Sequence, residues 1–188
     1  MKYVALLRGI NVGGNNPIKM AALKICFEEL GLRDVATYIQ SGNVVFSVSG
    51  RPAEIARRLE DAVAATFGCR TSVVLRSEKE MAAIVGRAPE GFGTLPEKYR
   101  YDVIFLNAPL TAGAAIAKVA TRPGVDQAYA GAGVLYFSRL ISKAAQSQLA
   151  RIVSSPIYKS ITIRNWRTTT TLLQMMTGAA PRAPRDSR

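Results

Sequence analysis

Nine consecutive residues, Arg8-Gly9-Ile10-Asn11-Val12-Gly13-Gly14-Asn15-Asn16, gather a guanidinium, asparagine amides and glycine backbone in one short stretch. A glycine-rich turn that leads from a strand into a helix points backbone N–H groups at whatever occupies it, which suits an anion or a polar ligand. Gly9 and Gly14 have the spacing of a phosphate-binding P-loop. Asn15 and Asn16, however, stand where that motif needs Lys and Ser/Thr, so triphosphate–magnesium chemistry is not encoded. The spacing of the dinucleotide fingerprint is not met either. A plainer reading carries equal weight: the glycines supply left-handed backbone and the asparagines satisfy turn groups.

Two further groups invite attention. Gln40-Ser41-Gly42-Asn43 offers polar side chains around a tight-turn signal. Arg164-Asn165-Trp166 precedes an apolar-periodic segment and contains the single Trp, which could stack a ring while Arg164 and Arg167 pair phosphate. The competing assignment makes Trp166 a core anchor and Asn165 a helix cap.

Composition removes other chemistries. The chain has no histidine, which excludes the commonest general base, the commonest metal ligand and every histidine triad. Cys26 and Cys69 are too few and too far apart for a metal motif, and Cys26 reads as a packed thiol. Glu28-Glu29 and Glu60-Asp61 fall on predicted helices as solvated faces rather than catalytic pairs. Neither a cofactor nor a metal is expected. The absence of a membrane-length apolar run and of a signal-peptide pattern points to a soluble cytoplasmic protein.

The net charge is +12, and residues 139–188 hold nine of the 25 Lys/Arg against one of the 13 acids, Asp186. Such a basic C-terminal third favours an anionic partner, although its charges are scattered rather than massed. Tyr38, Phe46, Tyr136 and Phe137 are assigned to sheet cores, because the aromatic spacing of an RNA-binding RRM is absent.

The elements that must position these residues follow from periodicity. Tyr3–Leu7 reads as a buried strand. Asn16 and Pro17 read as cap and first position of a helix carrying Met20, Leu23, Phe27 and Leu30, which Gly31 stops. Residues 34–40 and 44–46 form a hairpin, Pro52 opens a second helix ended by Gly68, and 71–75 is a fourth strand. Ser77 caps a helix, and the Pro/Gly-rich stretch 88–98 joins two halves. The order then repeats as strand 101–106, helix 110–120, hairpin 126–130/134–138, helix 142–152, strand 160–163 and a closing helix 166–176.

Tyr38–Ser47 also lies over Tyr129–Ser138 in letters, which supports duplication. The predicted fold is α+β: two tandem ferredoxin-like βαββαβ units with mostly antiparallel sheets. The units are 1–76 and 77–178, the second including the linker helix, and 179–188 reads as a basic disordered tail. Right-handed crossover topology puts the end of the first strand and the following hairpin at one rim of the sheet. The predicted binding set is therefore Arg8, Asn11, Gly13, Gly14, Asn15, Gln40, Ser41 and Asn43, with Arg164, Asn165 and Trp166 as a secondary candidate. The equivalent place in the second half, Asn107-Ala108-Pro109 with Gly131-Ala132-Gly133, is poorer in polar groups.

At these residues the chain resembles domain-of-unknown-function family 1697. The segment Ala5–Gly14, Tyr38 with Gln40–Phe46, and Arg164-Asn165-Trp166 are similar to its signatures. The resemblance implies a cytoplasmic bacterial protein of α/β type and points to no particular activity. This chain departs from the family's pattern at Arg167, where Asn is usual, and at Thr171, where Lys is usual. The sequence thus nominates a binding module for a small anionic or nucleotide-like ligand. Sequence-tolerant nucleic-acid binding through the basic third, or a histidine-free enzyme of unknown reaction, stands as the alternative. Oligomeric state is left open.

Overall fold

The computed structural model describes residues 1–11 and 17–178. Gly13, Gly14, Asn15, Asn16 and the 179–188 tail lie outside the described residues. Strands β1 (Lys2–Leu7), β2 (Arg33–Tyr38), β3 (Asn43–Ser47) and β4 (Val73–Ser77) form one antiparallel sheet in the order β2-β3-β1-β4. Strands β5 (Tyr99–Leu106), β6 (Asp126–Gly131), β7 (Val134–Leu140) and β8 (Ile161–Asn165) repeat that order as β6-β7-β5-β8. Helices α1 (Met20–Glu29) and α2 (Pro52–Phe67) complete the first unit, and α4 (Ala112–Ile116) and α5 (Leu149–Ser154) the second. This is the expected pair of βαββαβ units.

One more helix follows each set of four strands, α3 (Glu78–Gly86) after β4 and α6 (Trp166–Thr177) after β8; α3, which the sequence reading grouped with residues 77–178, is capped by Ser77 at the end of β4 and is counted with the first unit from here on. These two helices touch each other and lie between the sheets. A shared core joins Val4, Leu6 and Val74 of the first sheet to Phe105 and Tyr136 of the second through Met81, Ile84, Leu172 and Met176. The outer faces are covered by α1 and α2 on one side and by α4 and α5 on the other. The central strands are therefore buried on both faces, which explains why β1 and β3 are nearly unbroken apolar runs rather than alternating ones, while the edge strands β2 and β6 keep exposed residues. The inner helices are tied down locally. Ser77 and Glu80 form a capping box on α3, Asn165 Oδ1 accepts from Thr168 N at 2.7 Å on α6, and Lys2 Nζ reaches the last-turn carbonyl of Met176 at 2.7 Å.

Four sequence expectations change. Helix α1 starts at Met20 rather than Pro17, because both peptide groups of Ile18 bond the Asn11 side chain (Ile18 N to Oδ1 2.7 Å, Nδ2 to Ile18 O 2.9 Å). Helix α4 covers only Ala112–Ile116, since the chain beyond it tightens into i→i+3 bonds at Lys118 and Val119. The predicted 142–152 helix is two pieces, a 3₁₀ segment Ile141–Gln146 and α5. Buried Asp126 breaks it by accepting the Gln148 N–H at 2.9 Å, while Ser147 Oγ takes Leu149 N. Glu60 is no solvated residue: its Oε1 accepts from Val73 N at 2.8 Å and fixes the start of β4.

Candidate functional site

The ends of β1 and β5 are built alike. Leu7 N donates to Gly42 O and Arg8 N to Ser72 O, at 2.8 and 2.9 Å; Leu106 N donates to Gly133 O and Asn107 N to Ser160 O, at 3.0 and 2.8 Å. Leu7, Gly42 and Ser72 thus correspond to Leu106, Gly133 and Ser160, and the same correspondence pairs Arg76 on β4 with Arg164 on β8. Each of these arginines crosses to the other unit. Arg164 Nη2 donates to Leu7 O and Ser41 O, both at 2.8 Å, and Arg76 Nη2 donates to Leu106 O and to Gly133 O, the latter at 2.9 Å. The two halves are cross-strapped at their strand ends by a reciprocal pair of guanidinium groups.

At the first-half rim the expected groups do meet. Asn11 Nδ2 donates to Gln40 O at 2.8 Å, and β3 pairs Asn43 with Leu6 next to the end of β1. Their chemistry, however, is divided between structure and surface. Asn43 is 0 % exposed; its Nδ2 bonds Tyr38 O and Ser41 Oγ, and its Oδ1 accepts from Arg164 Nε at 2.6 Å. Asn11 spends its amide on Ile18 and Gln40, in a left-handed conformation (φ 55°) that Asn tolerates better than most residues. Both are staples that hold the rim together. Gln40 is exposed and Ser41 half-buried beside them.

Arg164 is 9 % exposed, and its five N–H groups are all spent: on Asn43 Oδ1, Thr162 Oγ1, Ile163 O, Leu7 O and Ser41 O. No carboxylate pairs it among the described residues. Burial pulls its pKa down to about 10, with neighbouring Tyr158 acting in the opposite direction. An arginine so committed is unavailable to phosphate, and the nucleic-acid alternative loses it. Asn165 caps α6. Trp166 packs edge-on against Phe92 (centroids 5.2 Å, 89°), over a Gly93 whose Cβ would fall 2.2 Å from the indole Nε1. That Gly is why the Pro/Gly-rich connection can close against α6.

Arg8 differs. Its side chain is half-buried at the same rim and turns toward the second unit, with Nη1 3.5 Å from Tyr158 O and Cζ 5.6 Å from the Tyr158 ring centre. Among the described residues its Nε is buried without a hydrogen-bond partner, and the ion pairs leave it out. Tyr158, which sits on the 3₁₀ segment Pro156–Ser160 just ahead of β8, was not singled out by the sequence. Only the docking of the halves brings it to Arg8. The described residues contain no group of three or more His, Cys, Asp or Glu that could hold a metal, and both cysteines are buried and free. No described helix is long and apolar enough to cross a membrane.

The architecture is that of a duplicated α+β protein whose halves are interlocked through α3 and α6. More particularly, the chain belongs to the family of proteins of unknown function designated DUF1697, whose model matches residues 1–136. It is similar to the solved structure of a conserved bacterial protein from Streptococcus pneumoniae, with a TM-score of 0.80 and 29 % identity over 93 % of this chain and 98 % of that one. No curated protein matches.

Proposed function

We propose that this protein binds a small anionic or nucleotide-like ligand at the first-half rim, with Arg8 as the partner of the anion. The observation that carries the reading is the state of Arg8: a half-buried guanidinium with an unsatisfied Nε and no carboxylate partner among the described residues. An unpaired buried donor is unfavourable by about 1–3 kcal/mol, and an anion paired with this guanidinium would offset that cost. The Tyr158 ring beside it offers a face for a base, and exposed Gln40 can orient a polar edge. Gly13, Gly14 and Asn15 add backbone donors in this proposal on the strength of the sequence alone. Asn43, Asn11 and Arg164 hold the rim in shape.

A thermal-shift screen of nucleoside phosphates and phosphorylated sugars tests the proposal. At a hundredfold excess over Kd a ligand stabilises the fold by about 2.7 kcal/mol, a readily measured rise in melting temperature. The rise is expected in the native protein and lost in Arg8→Ala. A screen with no stabilising compound, or one whose hits stabilise Arg8→Ala equally, overturns it.

A further inference from the structure

The strand-end correspondence exposes a second place. At the second-half rim an open cleft of about 420 Å³ is walled by Leu106, Pro109 and Ala132 from one unit and by Arg76, Glu80 and Ala83 from the other. In the sequence this rim is poor in polar groups, because its charges are supplied by the first unit across the interface. We propose that this cleft binds a free amino acid with an apolar side chain, its carboxylate on Arg76 and its ammonium group on Glu80.

Both charges are only partly spent. Arg76 uses Nη2 on Leu106 O and Gly133 O and one Nη1 hydrogen on Leu75 O, which leaves Nε–H and the other Nη1–H without partners among the described residues. Glu80 gives Oε2 to the cap on Ser77, and Oε1 takes no bond among the described residues. The two side chains make no direct ion pair there, so neither neutralises the other. Burial lowers the Arg76 pKa and the Glu80 charge works against that, which places the two groups within each other's field. A cation and an anion side by side on one wall of a mostly apolar cleft complement a zwitterion with a hydrocarbon side chain.

The other rim shows what a closed version looks like. The counterparts of Arg76 and Glu80 are Arg164 and Thr168, both buried, and every N–H of Arg164 is used internally. Here the turn is lighter. Gly133 sits at φ 71° with its missing Cβ only 3.3 Å from Arg76 Nη2, so its backbone lies directly on the guanidinium.

The test is isothermal titration of the full chain with L-leucine, L-methionine and L-phenylalanine. Alongside them go 4-methylpentanoate, which lacks the amine, and 3-methylbutylamine, which lacks the carboxylate. Saturable binding of at least one amino acid is expected, with both leucine fragments weakened tenfold or more. Glu80→Gln preserves the α3 cap, because Gln serves in a capping box, and is expected to weaken amino acids tenfold while leaving 4-methylpentanoate unchanged. Ala132→Trp, on an exposed turn, fills the cleft and should abolish binding. No saturable binding by any of the three amino acids, fragments that bind as well as leucine, or amino-acid affinity unaltered in Ala132→Trp overturns the proposal. Arg8→Ala is the control for the first rim and leaves these titrations unchanged.

Discussion

Arg164 and Arg8 show how two residues of one type at one rim divide their roles. Five internal acceptors surround Arg164, and removing it strands the buried Asn43 Oδ1 and the Leu7 and Ser41 carbonyls. Arg164→Ala is expected to destabilise the protein by about 3 kcal/mol in urea unfolding. Arg164→Lys recovers little of this, since an ammonium cannot present the planar fork. A loss under about 1 kcal/mol for Arg164→Ala would contradict the strap. Asp102 supplies the pH test. Burial raises its pKa above the ordinary carboxylate range despite nearby Arg139 and Arg100. Its contribution to stability is complete below the unfolded-chain pKa and is lost as pH rises through the raised folded value. Melting curves of Asp102→Asn relative to the native protein should therefore shift in the variant's favour from pH about 3 toward neutrality. Parallel pH profiles would refute that assignment.

At the scale of elements, the 39–42 turn is the most constrained part of the rim. Gly42 has φ 73°, and a Cβ there would lie 2.7 Å from Ile10 Cδ1 and 3.0 Å from Leu7 Cβ. Gly42→Ala combines left-handed strain with a clash against two buried residues. We expect a loss of about 2 kcal/mol or more, read as a lowered melting temperature, and a neutral effect would mean that β1 and the hairpin are less tightly apposed.

The strands and the two hairpins were legible because apolar runs and turn dipeptides are local signals. The starts of helices answered to partners that the local pattern does not show. Pro17 looked like a first helical residue until Asn11 took both peptide groups of Ile18, and 142–152 looked continuous until Asp126 captured Gln148 N. Of the site, the meeting of Asn11 with Gln40 followed from topology alone. The internal role of Asn43 did not, because its partner Arg164 comes from 121 residues away.

For the molecule as a whole, the decisive fact is that α3 and α6 fill the space between the sheets and that each half straps the other with an arginine. A core shared in this way predicts one cooperative unfolding transition, with calorimetric and van't Hoff enthalpies equal. Two resolved transitions would show that the halves fold separately. Neither Tyr158 beside Arg8 nor Arg76 in the second cleft could be read from the chain, since both depend on how the halves dock. The duplication itself was visible in a repeated element order.

The most direct measurement of the proposed anion site is an NMR titration that follows arginine side-chain Nε–H resonances with the best compound from the thermal-shift screen. A saturable shift of the Arg8 Nε–H is expected, with the Arg164 Nε–H held in place by Asn43. An Arg8 resonance that stays still while the ligand saturates would contradict it.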